Sequence, residues 1–139
     1  VIFYELLTLA VPLYPQLDKL RRIWLPVLIS VFAGACVASL GAIMIAGSLG
    51  GGKDILLLLA PKSVTAAVAM GISEKIGGLP SLTAVLVILT GVIGAVVGNT
   101  LFEIVGITDD SEKGIAMGVA SHGIGTAPAF QLSSEMGAF

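Results

Sequence analysis

Ala60-Pro61-Lys62-Ser63-Val64-Thr65 and Ser121-His122-Gly123-Ile124-Gly125-Thr126-Ala127-Pro128 set helix breakers and ionisable groups inside stretches otherwise apolar enough to lie in lipid. Unsatisfied backbone and a charge at membrane depth each cost on the order of several kcal/mol. Irregular backbone therefore persists there only where protein or a watery cavity surrounds it. The two interruptions read first as a binding site, and the runs around them fix the fold class as all-α and polytopic in a membrane.

Composition agrees. Hydrophobic residues make up 56% of the chain and charged ones only 12%, with a mean hydropathy of +1.05. A soluble domain carries about a quarter of its residues charged. Ile23 to Gly52 runs 30 residues without a charge and Ile76 to Phe102 runs 27, where roughly 20 suffice to cross the hydrocarbon as a helix. The bilayer is thus the first partner. A net charge of -2 with no extended cationic patch excludes nucleic acid as a partner. The single Cys36 sits in an apolar run and reads as a small buried thiol. The chain opens on Val1 with no signal peptide in view, so further sequence is expected upstream.

Val1 to Val11 is apolar apart from Glu5 and stops at Pro12 and Pro15, as the tail of an earlier membrane helix would. Pro12 to Arg22 reads as a polar turn. Its Lys19, Arg21 and Arg22 place it on the cytoplasmic face by the positive-inside tendency. A helix from Ile23 to about Leu49 follows, with Gly34, Ala38, Ala42 and Ala46 on one stripe where a neighbouring backbone can approach. The span Leu82 to Phe102 repeats the device with Gly91, Gly94, Ala95 and Gly98, for packing within the molecule. Asn99 and Thr100 near its end can cap it or bond across helices.

Between and after these spans lie Lys53 to Gly78 and Lys113 to Ala138. A shift of 60 positions matches Lys53 with Lys113, Ile55 with Ile115, Ala60 with Ala120, Ala67 with Ala127, Ala69 with Ala129, Ser73 with Ser133 and Gly77 with Gly137. The polar centres superpose as well, which points to an internal repeat. If both segments cross the membrane they run in one direction. If each is re-entrant they enter from opposite faces, the inverted arrangement of secondary transporters. Ala60-Pro61 and Gly123 to Pro128 look like turn tips and favour re-entry.

The breaks carry chemistry suited to a small organic anion. Pro61 removes a backbone donor and leaves carbonyls near Leu57 and Leu58 short of partners. Gly123 and Gly125 permit backbone geometries that other residues avoid, and Pro128 suits the first turn of a new half-helix. The amino terminus of such a half-helix receives a carboxylate. Lys62 adds formal positive charge, and Ser63, Thr65, Ser121 and Thr126 add hydroxyl donors. His122, with an unperturbed pKa of about 6.5, is a second cationic contact or a proton acceptor coupling uptake to a pH gradient.

Other chemistries find no support. Gly47 to Lys53 has the spacing of a phosphate-binding loop, but Asp54 stands where a hydroxyl should bind magnesium, and a membrane helix precedes it. No second His, paired Cys or base placed to activate Ser63 or Ser121 marks an enzyme. No metal-ligand set or cofactor motif is present.

At the breaks the sequence resembles a known family. Leu58-Leu59-Ala60-Pro61-Lys62-Ser63-Val64-Thr65, Gly77-Gly78-Leu79-Pro80-Ser81-Leu82-Thr83-Ala84-Val85 and Gly118-Val119-Ala120-Ser121-His122-Gly123-Ile124-Gly125-Thr126-Ala127 are similar to signatures of the LrgB (CidB/LrgB, antiholin-like) family. Ala10-Val11-Pro12-Leu13-Tyr14 and Leu25-Pro26-Val27-Leu28-Ile29-Ser30 extend the match over essentially the whole chain. Family members are longer, so the resemblance implies that 1–139 is a fragment of a single membrane domain, lacking amino-terminal helices and a last helix expected after Phe139, in the inner (plasma) membrane. It departs at Ala66-Ala67, where family members most often have Thr-Pro, removing a hydroxyl and a kink from the first break.

Two functions follow from the resemblance. One is regulation of murein hydrolase export and cell lysis, with a small LrgA-type membrane partner. The other is carriage of small monocarboxylates such as pyruvate, glycolate or glycerate, which the residue chemistry at the breaks also favours. Assembly as a homo-oligomer is compatible with either.

Overall fold

The computed structural model describes residues 10–139, so most of the expected tail over Val1 to Val11 lies outside the described residues. The described residues form helices and no strand. A 3-10 turn, Tyr14–Gln16, leads into α1 (Leu17–Ser48), α2 (Lys53–Leu59), α3 (Ala66–Lys75), α4 (Pro80–Val105), α5 (Asp110–Leu132) and α6 (Ser134–Ala138). The expected polar turn from Pro12 to Arg22 is mostly helical instead. Pro15 fits a first helical turn, where its missing N–H costs nothing, and Gln16, Leu17, Lys19, Leu20, Arg21 and Arg22 are good helix formers.

Two helices, Ala10–Ser48 with its leading turn and Pro80–Val105, are long and apolar enough to cross a membrane. Their large side chains face outwards: Phe32, Val37 and Met44 on α1, and Val96 and Ile104 on α4, are all exposed. In water such a surface would be a liability; in lipid it is the solvated face. Gly106 closes α4 in the left-handed conformation (φ 79°), donating its N–H back to Phe102 and Glu103.

The segment after α4 folds back on itself. Ser111 Oγ lies 3.0 Å from Glu135 Oε1, although 24 residues of continuous helix would hold them about 36 Å apart. Phe102, Met117, Ala129 and Met136 form one buried cluster, so the two legs of α5 pack side by side with α6 returning along the first. The segment before α4 does the same. Asp54 and Leu58 share a cavity of about 200 Å³ with Gly77, Gly78 and Leu79, which places the start of α2 beside the end of α3. Thr83 Oγ1 donates to Ser73 Oγ at 2.8 Å, with both residues fully buried, and pins that end of α3 to the start of α4.

Both broken segments are therefore hairpins, attached to opposite ends of α4. Their tips meet beside its middle. A Cβ built on Gly91 would touch Ile124 and the Ser121 carbonyl, and one on Gly94 would collide with the Ser121 hydroxyl. The glycines of α4 serve packing within the molecule, as their spacing implies. On α1 only Gly34 is so used, its Cβ position lying 3.2 Å from Val119 Cγ1, while Gly41 and Gly47 face open space.

Candidate functional site

The break in α5 falls on His122, at φ 51° and ψ -145°. It is the only non-glycine with positive φ among the described residues. A side chain in this glycine-like region costs of order 1–3 kcal/mol and persists only where the surroundings hold it. The sequence points instead to Gly123 and Gly125 for the irregular backbone, and the structure corrects this: neither has positive φ. Gly125 is required for space, since a Cβ there would lie 2.6 Å from Ser121 Cβ and 2.8 Å from Met117 Cγ. Gly123 faces open space. Pro128 also differs from expectation. It lies inside the second leg of α5, where it deprives the Ile124 carbonyl of its helical donor.

Across from this tip, residues 60–65 form the turn between α2 and α3, with Pro61 buried. His122 Nε2 lies 3.1 Å from the Lys62 carbonyl oxygen. A carbonyl only accepts, so Nε2 carries the hydrogen in this contact. The contact joins residues 60 positions apart, the same offset that aligns the two segments in sequence. The half-buried Lys62 ammonium donates to Ser63 Oγ at 3.3 Å. Among the described residues no carboxylate pairs with it.

The hydroxyls expected to share one site are dispersed. Ser63 lines a cavity of about 430 Å³ with Leu13, Leu20, Val31, Ile115 and Gly118. Thr126 and Gly125 line a second cavity of about 290 Å³ with Met117, Gly118, Ala129 and Phe139. Leu13, Gly118, Ala138 and Phe139 border both. Thr65 is exposed at the amino terminus of α3, and its side chain makes no capping bond. Ser121 is fully buried, and its Oγ, turned into the seam against Gly94, has no hydrogen-bond partner among the described residues. Such an orphan hydroxyl costs about 1–3 kcal/mol. The structure thus brings Lys62, Ser63 and His122 together, and sets Thr126 in the adjoining cavity.

Residues 4–139 match the LrgB-like family. The chain belongs to that family. Bacillus subtilis YwbG is 38% identical over 128 residues, covering 92% of this chain and 57% of that protein. A Staphylococcus epidermidis relative bearing the name Holin-like protein CidB is 34% identical over 131 residues, 94% of this chain and 57% of its own length. Bacillus subtilis YxaC is 36% identical over 123 residues, 88% of this chain and 54% of its own. The LrgB-like chain therefore spans about half the length of the curated relatives it matches. No solved structure matches it.

One polar cluster of this LrgB-like chain escapes the sequence reading. Lys19 on α1 reaches Asp109 Oδ2 at 3.4 Å and Glu135 Oε1 at 2.5 Å, with its Nζ 6.0 Å from the Phe139 ring. Asp109 caps α5, accepting from the Ser111 and Glu112 backbone N–H groups at 3.0 and 3.2 Å and from Ser111 Oγ at 2.7 Å. These donors, the Ser111 hydroxyl foremost, then the Glu112 N–H and Lys19, hold its carboxyl down from 3.8 to about 2. A local signal existed in Asp109-Asp110-Ser111-Glu112, the pattern of a helix start. The pairing with Lys19, 90 positions away, had none. Asn99 donates to Glu103 within its own helix at 3.1 Å.

Proposed function

We propose that this chain forms the binding core of a multi-pass carrier for a small monocarboxylate of the pyruvate, glycolate or glycerate class, acting in the inner (plasma) membrane without enzymatic chemistry. The observation that supports this most is the meeting of two hairpin tips beside the middle of α4. That junction holds an ammonium with no paired carboxylate among the described residues, broken helices, and neighbouring cavities. An anion is the natural counter-charge for Lys62. The amino termini of α3 and of the second leg of α5 add unpaired N–H groups aimed at carboxylate oxygens, and Ser63 and Thr126 offer hydroxyls in the flanking cavities. Two hairpins entering from opposite ends, with equivalent positions in contact, are what an inverted repeat produces near its axis.

The test uses the full-length protein in liposomes. Labelled pyruvate or glycolate enters, and Lys62→Met abolishes entry. Undiminished uptake by Lys62→Met removes Lys62 from the site. The name of the CidB relatives supports a second reading, an antiholin-like regulator of murein hydrolase export with an LrgA-type partner. Absent uptake, together with co-purification of a small holin-like protein that survives changes at Lys62 and His122, would favour it.

A further inference from the structure

We infer that His122 is a positioning residue: its Nε2–H clamps the Lys62 carbonyl and so fixes the tip of the first hairpin, and with it the Lys62 ammonium, against the tip of the second. Three observations converge. The ring nitrogen lies 3.1 Å from the carbonyl oxygen. The residue holds a backbone conformation that side chains rarely adopt, beside a glycine that faces open space and could have taken the bend at no steric cost. The donor is thus in the strained position while the unstrained alternative sits next to it, which makes sense if the ring has to point at the other hairpin.

The remaining tip groups provide no substitute. Ser121 Oγ lies in the seam against Gly94 and, among the described residues, bonds to nothing across the tips, and Lys62 Nζ turns to Ser63. Among the described residues no other side chain bonds across the two tips. The bridge is a property of the fold, independent of whether the protein carries a solute.

The sequence holds a single His, so histidine labelled with nitrogen-15 gives one imidazole to assign in protein placed in lipid bilayers. The Nε2–H tautomer is expected; a dominant Nδ1–H tautomer overturns the assignment. Spin labels at Thr65→Cys and Gly123→Cys, both exposed positions, in a Cys36→Ser background then report the spacing of the tips. His122→Gln places an amide donor close to the Nε2 position and should keep the narrow distance distribution. His122→Asn tolerates positive φ but is too short to reach, and with His122→Ala should give a broad one. His122→Ala as narrow as the parent overturns the proposal. If His122→Ala does not fold, a broad distribution in His122→Gln overturns it equally.

Discussion

Gly91→Ala measures how tightly the second hairpin is seated on α4. The added Cβ would stand 2.7 Å from Ile124 Cδ1, 3.1 Å from Ile124 Cβ and 3.1 Å from the Ser121 carbonyl oxygen. Two of those three atoms belong to the stiff part of the tip. The methyl would gain about 0.5–1 kcal/mol from helix preference over glycine, against an overpacking cost of about 1–3 kcal/mol. A net loss of roughly 1 kcal/mol follows for the tip's seat. Gly98→Ala makes the control. There the Cβ meets Met117 Cε at 2.7 Å and Sδ at 3.2 Å, the far end of a flexible thioether that can swing aside. It should be neutral or stabilised by about 0.5 kcal/mol. At Gly94 the obstructing atom is the Ser121 hydroxyl, which can rotate, leaving Ser121 Cβ at 3.4 Å in ordinary contact. Gly94→Ala therefore falls between. Steric-trap unfolding of the full-length protein in bicelles ranks the three variants, and Gly91→Ala at least as stable as Gly98→Ala would refute the seating of the tip.

Two further outcomes follow from the geometry. Cysteines at Gly52, where a side chain has open space, and at Leu79, which is exposed, should react with an impermeant maleimide from one side of the membrane, and a cysteine at Asp110 from the other. Labelling of positions 52 and 79 from opposite sides would mean that the first segment spans. Asp109→Ala should cost about 1 kcal/mol through loss of the α5 cap, and Asp109→Asn should recover most of it. Because the folded carboxyl is depressed, its contribution is complete above pH 3.8 and fades as pH falls towards about 2. The stability difference between parent and Asp109→Asn should shrink over that window; a constant difference would show that the capping charge contributes nothing.

Much of the architecture was legible because lipid leaves a chain few options. Ile23 to about Leu49 and Leu82 to Phe102 could only be helices, and α1 and α4 contain nearly all of both. The polar centres at Lys62 and His122 marked the breaks for the same reason, since buried backbone must be satisfied or sheltered. Their immediate neighbours misled. Two glycines beside His122 drew the bend to themselves, and Pro128 suggested a helix start that lies several residues earlier.

Sequence alone determined that the chain is helical, that it lies in a membrane, and where its helices are interrupted, because those properties follow from runs of residues and the cost of breaking them. It also offered re-entry and spanning as alternatives. Only the tertiary structure showed that each segment folds back as a hairpin, through Ser111 lying against Glu135 and Asp54 beside Gly77. It likewise showed that His122 bridges to Lys62, that Ser121 faces Gly94, and that Lys19 joins Asp109 and Glu135. Each of these is a meeting between residues far apart in the chain. Such meetings depend on how the whole chain packs, which neither local pattern nor composition specifies.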